Sequence, residues 1–165
     1  MRKRLLGSVL VAVAVTITMG LAPGTAGAAN GGRPFKIVLS GANEFDDGRP
    51  INLHGDADRG SITLRINPGQ ERVCWTLGAI TLTEGEPLPS AGHIHEAPPG
   101  DAGPVVVPLF GGPEAAPAPT SYPTGEVCVQ AERALIKDIF KDPSGYYVNL
   151  HNATHPAGVM RGQLG

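Results

Sequence analysis

Apolar residues in this chain recur at every second position in short runs, and Gly or Pro interrupts each run before it reaches helical length. The clearest case is residues 61–67, where Ile62, Leu64 and Ile66 alternate with Thr63, Arg65 and Asn67. Successive strand side chains point to opposite faces, so such a run buries one face and wets the other. Asn67-Pro68-Gly69-Gln70 then reads as a turn, with Pro fixing φ and Gly expected at the left-handed position. Residues 72–77 return as the hairpin partner, with Val73, Trp75 and Leu77 toward the core and Cys74 and Thr76 opposite. Residues 35–40, 79–83, 93–95, 105–110, 125–130, 146–151 and 160–164 are further strands, and 51–54 a short edge strand. Residues 41–48 are a turn region, and 84–91 and 111–124 are loops, the latter carrying Pro113, Pro117, Pro119 and Pro123. One helix is expected over 131–141, where Leu135 meets Ile139 and Ile136 meets Phe140 at i, i+4, and Asp142-Pro143 stops it. The pattern predicts an all-β fold, an antiparallel Greek-key-like β-sandwich with one short helix and one disulfide.

The first residues read as an export signal rather than as fold. Arg2, Lys3 and Arg4 form a basic start, residues 5–19 are almost wholly apolar, and Ala26-Gly27-Ala28 offers small residues to a peptidase. The apolar run is short of the ~20 residues a membrane span needs, so a signal peptide over 1–28, cleaved after Ala28, is expected, with no stable membrane insertion afterwards. Residues 29–33 are then a lead-in and 34–165 the domain, expected as a secreted monomer. The formal net charge is −2 before the basic start is removed, which argues against nucleic acid or an anionic membrane as partner. Cys74 and Cys128 are the only cysteines, and in an exported chain an even pair is most simply a disulfide. It would close a loop of about 55 residues, for which the chain-entropy model gives ~4 kcal/mol.

The residues with chemical potential are histidines. His93 and His95 stand one residue apart on a strand, so both imidazoles project from one face. Neutral imidazole suits copper, zinc or nickel. His151, ending a strand on the face of Tyr147 and Asn149, is the candidate third ligand. The competing reading is a structural cluster, three histidines hydrogen-bonding the 98–103 loop to the sheet. His54 and His155 read as exposed loop residues. Asp46, Asp47, Asp56 and Asp58 read as solvated turn acids, lacking the EF-hand spacing. Glu96 and Asp101 lie near the histidine pair as an acid and a base, but no activated nucleophile accompanies them. Asn152-Ala153-Thr154 fits the glycosylation sequon. Trp75 reads as core, and Arg161 as pairing with a carboxylate such as Glu44 or Asp101.

Two stretches carry a family resemblance. One runs from His93-Ile94-His95 through Gly103-Pro104-Val105-Val106-Val107-Pro108-Leu109. The other is Tyr147-Val148-Asn149-Leu150-His151 followed by Pro156-Ala157-Gly158-Val159-Met160-Arg161-Gly162-Gln163-Leu164. Together with Leu39-Ser40-Gly41-Ala42-Asn43-Glu44 they resemble the CHRD domain, the repeated module of chordin that also occurs singly in exported bacterial proteins. The resemblance makes Gly103, Pro104, Asn149, Gly158 and Arg161 structural motif positions. The family's usual Val-Pro-Pro after Glu44 is replaced here by Phe45-Asp46-Asp47-Gly48, and its tail Glu by Val159. The histidines also resemble part of the Cu/Zn superoxide dismutase copper site, in which a His-Val-His strand and a later strand histidine supply three ligands; the zinc loop has no counterpart between Glu96 and Phe110. These resemblances imply a non-catalytic extracellular binding or structural module, with loops 41–50, 84–91 and 111–124 meeting a protein or glycan partner. The alternative is a metal-binding protein, copper ahead of zinc, with His93, His95 and His151 as ligands and possible redox activity.

Overall fold

The computed structural model of the chain describes residues 31–46, 48–50, 57–111 and 120–165. The expected signal segment, the edge strand at 51–54 with His54, the acids Asp47 and Asp56, and Pro113, Pro117 and Pro119 lie outside them. In chain order the strands are β1 (Arg33–Ser40), β2 (Phe45–Asp46), β3 (Arg49–Pro50), β4 (Arg59–Asn67), β5 (Arg72–Thr81), β6 (Ala91–Glu96), β7 (Val105–Gly111), β8 (Val127–Gln130), β9 (Tyr146–His151) and β10 (Met160–Gln163). A single helix of α type among these residues, α1 (Arg133–Lys141), precedes β9.

The expected sandwich is built from one hydrogen-bonded sheet rather than two separate ones. Eight strands run in the order β7-β6-β9-β10-β1-β4-β5-β8, each antiparallel to its neighbour. The sheet curls until its two ends approach. Trp75 on β5 closes the gap: its Nε1 donates to Leu109 O on β7 at 3.1 Å, and its ring lies 5.0 Å from Phe110. The enclosed core follows the alternation read from sequence, with Phe35, Ile37 and Leu39 from β1, Ile62, Leu64 and Ile66 from β4, and Val73 and Trp75 from β5. Ile94, Val148, Leu150 and Met160 complete it from β6, β9 and β10.

The helix begins at Arg133 rather than Ala131, because Glu132 at its N-cap has extended backbone. It buries Ile136 and Ile139, and Phe140 packs on Phe35 at 6.1 Å. Asp142 ends it as expected and accepts from Gly145 N, turning the chain into β9. The β4–β5 turn differs in one respect. Asn67 Oδ1 accepts from Gly69 N at 2.8 Å and Gln70 N at 3.1 Å, which curls the chain locally. The left-handed position then falls on Glu71 (φ 54°) and not on Gly69.

Cys74 and Cys128 face each other in register on β5 and β8 and are disulfide-bonded. The bond fastens the edge strand β8 to the sheet. Replacing both cysteines by serine is expected to lower unfolding stability by ~4 kcal/mol, the chain-entropy value for a loop this long. Urea unfolding of the double variant against the oxidised parent measures it; an unchanged midpoint would mean that the bond adds nothing to the hydrogen-bonded edge.

Candidate functional site

An antiparallel sheet with one face on the core usually leaves its other face to water. Here β6, β9 and β10 do not. All six residues of β9 are buried, and so are five of the six in β6. On β9 the alternation sends Tyr146, Val148 and Leu150 into the apolar core, and Tyr147, Asn149 and His151 to the far side. His93 and His95 on β6, and Arg161 on β10, share that far side: His93 lies opposite Asn149, His95 opposite Tyr147, and Arg161 opposite Asn149. Three loops, 84–90, 97–104 and 152–159, lie over them. The result is a second, polar layer outside the apolar core.

The histidines meet within this layer. His93, His95 and His151 are exposed by only 7%, 8% and 4%, and each offers a ligand nitrogen within 4.8 Å of the others. Their ring centroids are 5.0 Å (His93–His151), 5.7 Å (His93–His95) and 5.8 Å (His95–His151) apart. Two rings are oriented by the loops above them. His95 Nδ1 lies 2.9 Å from Gly103 O, and His151 Nδ1 lies 3.1 Å from Pro156 O. A carbonyl only accepts, so in both rings Nδ1 carries the proton and donates; in the neutral ring Nε2 then bears the lone pair. Imidazoles that ligate metals are commonly oriented in this way by an outer hydrogen bond. Among the described residues the cluster contains no carboxylate or thiolate.

A stack links the histidines to the rest of the layer. The His95 ring lies parallel to Tyr147 at 4.9 Å, 13° between planes, and the Arg161 guanidinium sits 3.6 Å from the centre of the Tyr147 ring. Arg161 does not pair with the carboxylate of Asp101. It donates to main-chain carbonyls instead, Nη1 to Asp101 O at 2.7 Å and Nη2 to Pro98 O at 3.1 Å. Gly103 N donates to Tyr147 Oη at 3.2 Å, and Gln163 Nε2 to Ala97 O at 2.8 Å. Loop 97–104 is thus fastened from four sides. Gly103 is required for it, because a Cβ there would run into the Glu96 carbonyl. Gly158 is required twice over: its φ is +146°, and a Cβ would meet Glu44 and Asn149. Asn149 Nδ2 donates to Ala157 O at 3.4 Å in the same loop. Pro104, the remaining motif position, accepts from Glu96 N at 3.1 Å through its carbonyl.

Several residues stand differently from their sequence reading. His155 is not an exposed loop residue: its Nε2 lies 3.1 Å from Glu86 Oε1, with both side chains about one-sixth exposed (16% and 15%). Asn152 is fully buried and its Nδ2 donates to Glu86 Oε2 and Pro87 O, so the folded sequon is closed to glycosylation. Asp58 is not a solvated turn acid, since its buried carboxylate accepts from Thr83 N and Oγ1. Glu96 leaves β6 on the other side from His95 and meets Tyr146, and Asp101 points to solvent. Neither reaches the histidines as an acid or base.

Glu44 belongs to the layer, where sequence had offered it only as an ion-pair partner. It is buried between β10 and loop 152–159, and burial raises its carboxyl from the ordinary 4.5 to about 8, against the lowering effects of Arg161 and an Asn149 hydrogen bond. Burial likewise lowers Arg161, opposed by Tyr147, Glu44 and Asp101. Beside Arg161 an open cleft of about 380 Å³ is lined by Asn43, Phe45, Gly48, Pro99, Gly100 and Gln163. Gly48 N donates to Gly100 O at 2.8 Å across it.

Fold and layer together define an antiparallel, disulfide-linked β domain whose loops are packed over a histidine-bearing sheet face. The family model described as CHRD domain matches residues 35–164, and the chain belongs to the CHRD family. No curated protein and no solved structure matches it. The partial likeness to Cu/Zn superoxide dismutase therefore rests on the histidine strands alone.

The Glu44 shift has a sign. Folding raises this carboxyl's pKa, so its contribution to stability is fully present below about pH 4.5 and is lost as pH rises through about 8. Glu44→Gln should remove this component. Urea midpoints between those limits should fall with pH less steeply in the variant than in the parent; equal slopes would show that Glu44 does not titrate late.

Proposed function

We propose that this CHRD chain is a secreted, non-catalytic binding and structural module. The observation that carries the reading is the fastening of loop 97–104 by Arg161, Gln163, Tyr147 and His95. A loop held by that many hydrogen bonds loses little conformational entropy on meeting a partner, which is what a preformed recognition surface needs. The cleft beside it joins an aromatic side chain, Phe45, to amide and guanidinium groups, a lining suited to a protein or glycan partner. Secretion is supported by the basic-then-apolar start of the sequence, by the Cys74–Cys128 bond and by the family. Among the described residues no helix is long and apolar enough to cross a membrane.

A photo-crosslinking amino acid placed at Asn43 or at Pro99, in protein exported by its own cell, is expected to give one discrete adduct. The same amino acid at Lys36, exposed on β1, should not. Equal labelling from Lys36, or none from the cleft, contradicts recognition at this surface.

The convergence of His93, His95 and His151 favours a second reading, in which the module carries copper or zinc. Elemental mass spectrometry on natively exported protein, before any chelating column, should then find near-stoichiometric metal. No metal, with no uptake of zinc or of copper in either oxidation state, would leave the three histidines a structural cluster.

A further inference from the structure

Resting on the metal reading, the charge and donor set of the histidine cluster narrow the ion. Three features bear on the choice. Every donor is a neutral imidazole, and among the described residues no carboxylate or thiolate joins the cluster, so an ion brings its whole charge into the layer. The site is closed, with the three rings at most 8% exposed beneath loops 97–104 and 152–159. A fixed cation stands close by: Arg161 lies against one face of Tyr147, and His95 stacks on that same ring.

Moving an ion out of water costs free energy that rises with the square of its charge, so a dication pays about four times what a monocation does in the same cavity. Elsewhere a buried dication recovers that cost from thiolate or carboxylate ligands or, where three histidines hold zinc, from a water or hydroxide at a solvent-open fourth position. The cluster supplies none. Zinc also completes four positions, whereas three converging nitrogens suit a three-coordinate ion. Metal–imidazole bonds of about 2.0 Å in a trigonal plane put the nitrogens about 3.5 Å apart. The ligand nitrogens lie within 4.8 Å of one another, and binding would require ring rotations that bring them closer about the Nδ1 hydrogen bonds of His95 and His151.

We propose that His93, His95 and His151 form a closed, three-coordinate site for cuprous copper. Of the metals imidazole accepts, copper is the one with a stable monovalent ion. The role that follows is holding or carrying Cu(I) outside the cell, in a site whose donors carry no charge of their own.

The test is an anaerobic titration of the full exported protein with Cu(I) against a coloured Cu(I) chelator, bicinchoninate, beside a Zn²⁺ titration against a fluorescent zinc indicator. X-ray absorption at the copper edge then counts the donors on the unaltered protein. The expected result is one Cu(I) per chain withdrawn from the chelator, three nitrogen donors, and retention against an equal amount of Zn²⁺. His95→Ala and His151→Ala should lose it, and His155→Ala, outside the cluster, should keep it. Because the donor count needs no variant, it decides the matter even if a histidine variant unfolds. Zn²⁺ or Cu²⁺ held by the three histidines without Cu(I) would overturn the cuprous assignment and leave the metal reading standing, whereas copper bound through other donors would overturn both. No binding of any of these ions would overturn both.

Discussion

A sheet face that carries histidine, asparagine, tyrosine and arginine, and is still closed to water, must replace every hydrogen bond it takes from solvent. In this domain the replacement comes from loop carbonyls. Pro98, Asp101, Gly103, Pro156 and Ala157 all present main-chain oxygens to side chains of β6, β9 and β10. The exchange works in both directions. Loops lacking regular structure need partners for their own backbone groups, and side chains buried beneath them need acceptors. Loop 97–104 and the polar layer are therefore one unit, and so are Gly103 and Gly158, which let the backbones approach closely enough for these bonds.

The apolar half of the molecule was legible because it is periodic. Ile62-Leu64-Ile66, Phe35-Ile37-Leu39 and Val73-Trp75 bury the faces that their alternation indicated. The strands around them appear within a few residues of the expected bounds. The histidine trio was legible for the same reason: His93 and His95 are two apart, and His151 keeps step with Tyr147 and Asn149. What stayed hidden depends on which loop covers what. Nothing in the spacing of Asp58, Asn152 or His155 distinguishes a buried, hydrogen-bonded side chain from an exposed one. Their burial arises from chain segments far away in sequence, Thr83 for Asp58 and Glu86 for the other two. Glu44 is the strongest case. It follows a turn, where a carboxylate is normally solvated, and its packing against Gly158, Asn149 and Arg161 takes it out of water. Glu71 shows a smaller version: the Asn67 side chain holds the amides that determine where the left-handed residue falls.

The two functional readings draw on one geometry. The recognition proposed would use the outward side of loop 97–104 and the adjoining cleft; the metal binding proposed would use the space beneath it. They are joined through His95, Tyr147 and Arg161, because the Tyr147 ring contacts both of the others while Arg161 borders the cleft. Glu96, exposed at the end of β6, meets Tyr146, Asp101 is exposed, and both cysteines are held in the disulfide.

The orientation of the two loop-held imidazoles is the point on which both readings depend, and ¹⁵N–¹H correlation spectra of the histidine side chains measure it directly. Bonds from Nδ1 to Gly103 O and Pro156 O predict that, in metal-free protein, the neutral rings of His95 and His151 are the Nδ1–H tautomer. Their Nδ1 protons should exchange slowly with water. Averaged signals from two interconverting tautomers, or protons fixed on Nε2 instead, would contradict it: the loops would not be anchored to the histidines, and no pair of Nε2 lone pairs would face the centre of the cluster.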